Sequence, residues 1–372
     1  MPPIEFETAQ KYDYCELSSF LSSSFNRPAA LWFERFGLLW ESNPAFSQDW
    51  TRGILARDRS RIVGFIGQFP TRFQVSGKEV LASNSTSLAV HPEYRKLGLG
   101  LQLRSRQLRL DKNIIVFATT PNAVSQKLNR FLKLQAIPRK AGSAGGQTAV
   151  VPVSPVGTLA FLFAQTYKLS PTTALKATMT AMPIVFRFSN RFFNTWLGST
   201  SPDIQIRDVT HPDEEFDVLW ERTRSNYSNT NIRTAEVLRW YLTPTTGTRR
   251  HLYAAYLADT LIGFAVFLEK THRKYSAMKI LVCADMWCST ADSVCFDRFL
   301  SHALEHARKL RCSCILLPHH FRDIAALHSP PSLPDITGWM QHEFIRIPSH
   351  LSNQIGSHNS CFSYLQGDRG IL

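Results

Sequence analysis

The stretch Ser87–Gly100 reads Ser-Leu-Ala-Val-His-Pro-Glu-Tyr-Arg-Lys-Leu-Gly-Leu-Gly and carries a β-like run through a short glycine-containing loop into a helical pattern. This join restricts the fold more than any other segment, because a strand must lead straight into the loop and a helix must leave it. Upstream, β-like runs at 53–57, 62–69, 71–75 and 80–90 are separated by Asp58-Arg59-Ser60 and Ser76-Gly77-Lys78, which read as turns of a hairpin meander. Downstream, Leu97, Leu101 and Leu108 predict one helical face, with Arg104, Arg106 and Arg109 turned elsewhere. A strand over 113–118, a helix over 122–134 and a strand over 148–153 follow. Antiparallel strands feeding a β-α-β-α-β unit predict an α/β (α+β) mixed sheet with helices on both faces.

The same order recurs after residue 203 without obvious sequence identity. A strand at 204–207 precedes helices at 212–223 and 234–242, then strands at 252–256, 261–268 and 278–286, a helix at 291–310 and a strand at 313–317. A chain of 372 residues suits two such domains. The expected division is 1–153, a linker at 154–202 and a second domain at 203–372. The linker segment is apolar and basic, broken by Pro155, Pro171 and Pro183, and reads as short helices. Its aromatics (Phe161, Phe163, Phe186, Phe188, Phe192 and Phe193) interleave with Lys168, Lys176, Arg187 and Arg191. They either pack between domains, the preferred reading, or make peripheral membrane contact through 156–198.

The loop before the helix carries the chemistry. A helix N-terminus leaves amides without partners and holds the positive end of the dipole, so it suits a diphosphate. Gly98 and Gly100 allow close backbone approach, and Arg95 and Lys96 add charge at the mouth. The spacing is not the G-x-G-x-x-G of dinucleotide sites. The string V-x-P-E-Y-R-x-x-G-x-G after a β-meander resembles the coenzyme-A signature R/Q-x-x-G-x-G/A of the GNAT acyltransferase superfamily, here Arg95, Lys96, Leu97, Gly98, Leu99 and Gly100. Weaker likenesses to tandem GNAT proteins of bacteria extend over Trp40–Pro44, Ile62–Gly67, Gly77–Val80, Pro121-Asn122 with Ser125, Arg239–Leu242, Leu261–Phe264 and the closing Phe362–Asp368.

The resemblance implies two tandem GNAT-like domains joined by a helical linker, the first binding acyl-CoA, with acetyl-CoA as the expected co-substrate. Leu88, Ala89 and Val90 would pair with the pantetheine arm through their backbone, amides from Lys96 to Gly100 would hold the diphosphate, and Asn122, with Ser125 on the same helix, would meet the pantetheine. The acceptor would be a primary amine on a small molecule or peptide. Many relatives place a Tyr seven residues after that Asn to protonate the leaving thiolate. This chain has Asn129 there, and neither Lys127 nor Phe131 replaces it; Gln135 stands at a usual Gly. The general acid is unassigned. Asn84, Ser85 and Ser87 lie on the strand approaching the thioester and could orient substrate or water, although such strand polars are usually structural. The second domain has Trp287-Cys-Ser-Thr where the first has its glycine loop, and is expected not to hold the carrier.

The formal net charge of +13 favours polyanionic partners without choosing among them. It keeps open tRNA and an aminoacyl-tRNA-dependent peptide transferase, a class that also uses tandem GNAT-like domains; a non-catalytic acyl-CoA-binding protein is the other alternative. The odd count of seven cysteines and an opening MPPIEFETAQ without a secretory pattern give the expectation of a cytoplasmic protein with reduced thiols. No metal is expected. His302-Ala-Leu-Glu-His306 spells H-x-x-E-H but reads as the solvated side of an amphipathic helix. Cys283, Cys288, Cys312 and Cys314 sit in apolar strand contexts that suit buried thiols better than a zinc set, and His319-His320 reads as an exposed loop pair.

Overall fold

The computed structural model describes residues 3–119, 122–136, 149–154, 157, 158, 160, 173, 203–271, 278–289, 293–317, 344–352, 355, 360 and 361. The expected linker and membrane-contact segment therefore lies almost wholly outside the described residues, as do Pro121, His319-His320 and the closing 362–368 stretch.

The chain forms two compact units, each assembled from separated pieces. The first comprises Met1–Pro138, Asn226–Ile232 and Gln341–Leu372, the second Arg139–Ser225 and Arg233–Met340. In the first unit, β1 (Glu5–Thr8), α1 (Tyr14–Phe25) and α2 (Ala29–Phe36) precede the meander β2 (Gly53–Asp58), β3 (Arg61–Val75) and β4 (Lys78–Val90). Helix α3 (Leu99–Leu110), β5 (Ile115–Ala118), α4 (Ala123–Phe131) and the short β6 (Gln135–Ala136) follow. The expected turns are present: Arg59, Ser76 and Gly77 take φ of 56°, 48° and 77°. The two runs split at Pro70 in the sequence form one strand, with Pro70 paired to Ser83 and its carbonyl accepting from the Asn43 side chain at 2.9 Å.

The predicted helical face is partly corrected. Helix α3 begins at Leu99, so Leu97 falls in the preceding turn and is exposed; the buried leucines are Leu99, Leu103 and Leu108. Leu99 and Leu103 pack on the sheet where Gly64 leaves room: a Cβ at Gly64 would lie 2.9 Å from Leu103 Cδ1 and 3.1 Å from Leu99 Cδ2.

The second unit holds β7 (Ala149–Pro152), β8 (Ile204–Val209), α5 (Glu214–Thr223), α6 (Ala235–Leu242), β10 (Thr248–Leu257), β11 (Thr260–Thr271), β12 (Lys279–Cys288), α7 (Ser293–Lys309) and β13 (Cys314–Leu317). Its sheet runs β7-β13-β12-β11-β10-β8. The first unit's sheet runs β1-β2-β3-β4-β5-β14-β6, where β14 is Phe344–Arg346; β9 (Asn229–Asn231) pairs with β3, and β15 (Ser360–Cys361) with β9. Read from β1 and from β8, the two sheets share one order: antiparallel meander, one parallel strand after a crossover helix, then one antiparallel strand. The repeated β-then-α order expected from sequence is thus visible as two mixed sheets.

A boundary at 153 followed by a second domain at 203–372 does not describe these sheets. Strand β7, from before the expected linker, lies in the second sheet, whereas β9, β14 and β15, from beyond it, lie in the first. Strands of two to four residues carry hydrophobic pattern but no local mark of their pairing partner.

Candidate functional site

Strand β4 has two neighbours that treat it differently. Its antiparallel ladder with β3 runs from Lys78 to Val90, broken between Thr86 and Ala89, which oppose Gly67 and Phe65. The extra residue forms a bulge in which Ser87 takes φ of 54°. The parallel ladder with β5 is much shorter: Ala82↔Ile115, Ser83↔Val116 and Asn84↔Phe117. The ladder ends at Asn84↔Phe117, one residue before β5 itself ends at Ala118, while β4 continues through Leu88, Ala89 and Val90. Ala89 is buried, and Leu88 and Val90 are half-buried.

His91 anchors the strand end by donating its amide to Val63 O at 2.9 Å, and Pro92–Leu97 form a 3-10 turn. The Tyr94 ring is buried there and its hydroxyl donates to Asp58. Arg95 and Lys96 are exposed, and Arg95 Nε donates to Val90 O at 3.1 Å, which fixes the guanidinium beside the strand end. Gly98 then takes φ 70° and ψ 17° and serves as N-cap of α3, with no side chain capping the helix. Its carbonyl accepts from Leu101 and Gln102 amides at 3.0 and 3.1 Å. A Cβ at Gly98 would meet nothing within 4 Å, and one at Gly100 would lie 3.7 Å from Val90 Cγ2. The loop is therefore open, with Leu99 buried beneath it as its anchor.

The other expected site residues divide. Asn122 is the N-cap of α4, its side-chain oxygen accepting from the Ser125 amide at 2.9 Å. These two form a capping pair, which leaves the Asn122 amide group as the part able to face a ligand. Asn84 is buried and donates Nδ2 to Thr71 Oγ1 at 2.7 Å. Ser87 sits in the bulge, its hydroxyl 3.1 Å from that of Thr86. Asn129 is buried in α4 and accepts from Arg104 Nε at 3.2 Å.

Arg104, read from sequence as turned away, lies buried beside β4. It also donates through Nη1 to Ser85 Oγ and to Gln107 Oε1. At the C-cap of α3, Asp111 accepts from Ser83 Oγ at 2.8 Å and Gln68 Nε2 at 3.4 Å. Arg346 of β14 donates to the carbonyls of Leu108 and Asp111. Burial pushes the Asp111 carboxyl up to about 6, against the opposing pull of Ser83 and the two guanidiniums, and lowers Arg104 to about 10.

The raised Asp111 value sets a pH dependence. An unfolded Asp titrates near ~3.9, so the native state takes up a proton that the unfolded chain does not between about pH 4 and about pH 6. The stability from that proton is complete below the lower limit and lost as pH rises through the upper one. Relative to Asp111→Asn, the wild type should gain about 2–3 kcal/mol of unfolding free energy as pH falls across this window. Urea titrations at several pH values measure it; a constant difference between the two proteins would refute it.

The residues set aside in sequence have local partners. Tyr253 OH and His306 Nδ1 lie 2.7 Å apart, and His302 Nε2 lies 3.5 Å from Asp208 Oδ1. Cys283, Cys312 and Cys314 are buried thiols whose titration is pushed upward by burial, Cys312 to about 11. Among the described residues no group of three or more His, Cys, Asp or Glu is placed to hold a metal, and no helix is long and apolar enough to cross a membrane.

A bulged strand that runs on past the end of its parallel neighbour, followed by an uncapped glycine loop and a crossover helix, makes the arrangement of the GNAT fold. Residues 5–113, which lie in the first unit, match the family model described as an acetyltransferase (GNAT) domain. The crystal structure of a GCN5-related N-acetyltransferase from Anabaena variabilis is similar with a TM-score of 0.59 at 12% identity, covering 93% of this chain and 73% of that one. Saccharomyces cerevisiae N-myristoyltransferase with bound myristoyl-CoA gives a TM-score of 0.53 at 12% identity, covering 94% of this chain and 84% of that one. A curated relative, the glycylpeptide N-tetradecanoyltransferase of Kluyveromyces lactis, is 24% identical over 205 residues, which is 54% of this chain and 39% of that protein. The chain thus matches about two-fifths of that relative's length.

Proposed function

We propose that this protein transfers an acyl group from acyl-CoA to a primary amine of a small molecule or peptide. The observation that carries the reading is the end of the β4–β5 ladder at Asn84↔Phe117, while β4 runs on to Val90 and into an uncapped, open loop. An extended pantetheine arm would add to β4 at Leu88, Ala89 and Val90, beyond the end of the β4–β5 ladder, as a short strand. The diphosphate would meet the amides from Lys96 to Gly100, with Arg95 and Lys96 supplying charge. The Asn122 amide would reach the arm from the far side. Acyl-CoA supplies the activated carbonyl, and an amide of the β4 bulge would polarise it. Acetyl is the acyl group proposed, from the signature in the sequence; the names of the N-myristoyltransferase relatives make a longer chain the alternative.

Calorimetry with acetyl-CoA, tetradecanoyl-CoA and tRNA, together with thiol release in the presence of a panel of amines and peptides, tests the reading. Micromolar acyl-CoA affinity with amine-dependent thiol release is expected. Binding of tRNA with no acyl-CoA affinity at ~1 mM would transfer the assignment to a tRNA-dependent peptide transferase, a reading that would account for the charge of +13. Binding of acyl-CoA without turnover of any amine would leave a carrier-binding protein and overturn the proposed catalysis.

A further inference from the structure

We infer that Arg104 is a catalytic residue that receives the leaving thiolate, taking the place of a proton-donating acid. The inference rests on the acyl-CoA reading above and identifies which group of that site faces the sulfur.

Helix α3 lies along β4 in a readable register. Gly100 approaches Val90, Arg104 and Gln107 meet Ser85, and Asp111 meets Ser83. A carrier with its diphosphate at Gly98–Gly100 and its arm running back along β4 brings its far end toward Ser85. Five residues of strand span about 16 Å, comparable to an extended pantetheine arm. Ser85 is also the first residue beyond the β4–β5 ladder. The Arg104 guanidinium crosses at this level, from Ser85 on β4 to Asn129 on α4, the helix that follows β5.

The partners of Arg104 make it an unusual buried cation. It is 2% exposed, and its hydrogen bonds go to a hydroxyl and two amide oxygens, all neutral. Among the described residues Nη2 has no partner, and no carboxylate lies at ion-pair distance. Buried Asp111 and half-buried Arg346 are the other charged groups whose fields it feels, so the three groups sum to one excess positive charge when Asp111 is ionised. A desolvated guanidinium with an unused donor is costly unless an anion completes it. The position that offers a phenol in many relatives of the family holds Asn129, which here fixes the guanidinium instead.

The step balances without an internal acid. The amine nitrogen attacks the acyl carbon, the C–N bond forms, and the C–S bond breaks with its electron pair on sulfur. The proton lost from nitrogen passes to water. Arg104 keeps its protons and donates one Nη2–H hydrogen bond to the thiolate until solvent protonates it.

Coenzyme A and its desulfo analogue test this without knowledge of the acceptor. The affinity of wild-type protein for coenzyme A should rise about tenfold with pH across the thiol's titration, corresponding to a bound thiol lowered by about one unit, while desulfo-coenzyme A shows no such rise. Arg104→Gln should lose the gain and Arg104→Lys should keep part of it. Parallel pH profiles for the two ligands with wild-type protein overturn the inference, a result that needs no variant to fold. A folded Arg104→Gln that keeps the gain overturns it as well. Failure of wild-type protein to bind coenzyme A at all would overturn the acyl-CoA reading itself.

Discussion

Gly98→Glu is expected to reduce coenzyme A affinity by at least about a hundredfold, close to ~3 kcal/mol, while leaving the protein folded. Gly98 takes φ 70° and ψ 17°, and a Cβ there meets nothing within 4 Å. Space is therefore available, and the cost of a side chain is the left-handed backbone, about 1–2 kcal/mol. A carboxylate at this position would sit at the positive end of α3, where it is favoured. It would occupy the cradle proposed for the diphosphate and repel the ligand's negative charge. Gly98→Asn separates these effects, since Asn tolerates the same backbone region without charge. Its affinity should stay within about tenfold of wild type, equivalent to ~1.4 kcal/mol. Titration calorimetry beside thermal melts reads both quantities. Full affinity in a folded Gly98→Glu protein would remove the diphosphate from this loop.

The parts legible from sequence are those whose causes are local. The hairpin meander follows from turn residues at 58–60 and 76–78, and the glycine loop from a strand pattern that changes period. The pairing of β7, β9, β14 and β15 was not legible, because these strands join sheets across long sequence separations. Arg104 was misplaced for a different reason. Three arginines at 104, 106 and 109 look alike in a basic helical stretch, yet only Arg104 among them is buried. The available signal was the spacing of Gly100, Arg104, Gln107 and Asp111, at intervals of four, three and four. That is one helical face made of a glycine and three polar groups. A polar stripe at core periodicity, on the helix that follows the loop, marks buried chemistry more specifically than the leucines that drew the prediction to Leu97.

The second unit makes the opposite use of its corresponding strand. The parallel ladder of β12 with β13 ends at Val282↔Leu316, and three residues later β12 carries Asp285; β4 carries Ser87 three residues past Asn84. Arg233 donates to Asp285 through Nε at 2.7 Å and Nη2 at 3.2 Å, and both side chains are fully buried. The guanidinium lies 4.0 Å from the centre of the Trp287 ring, whose Nε1 donates to Thr223 Oγ1 at 2.7 Å. This position is committed to a bidentate ion pair, in keeping with a second unit that lacks a glycine loop and is proposed not to hold the carrier. Asp285→Ala would leave a buried guanidinium without its counter-charge, at an expected cost of about 3–5 kcal/mol. That is a large fraction of the ~5–15 kcal/mol that holds a typical domain folded. Replacing both partners, Arg233→Met with Asp285→Leu, removes the stranded charge and should recover most of the loss. Chemical denaturation of the two proteins decides the matter. A double variant no more stable than Asp285→Ala would mean that the pair's hydrogen bonds and its packing on Trp287, rather than compensation of buried charge, hold this part of the second unit together.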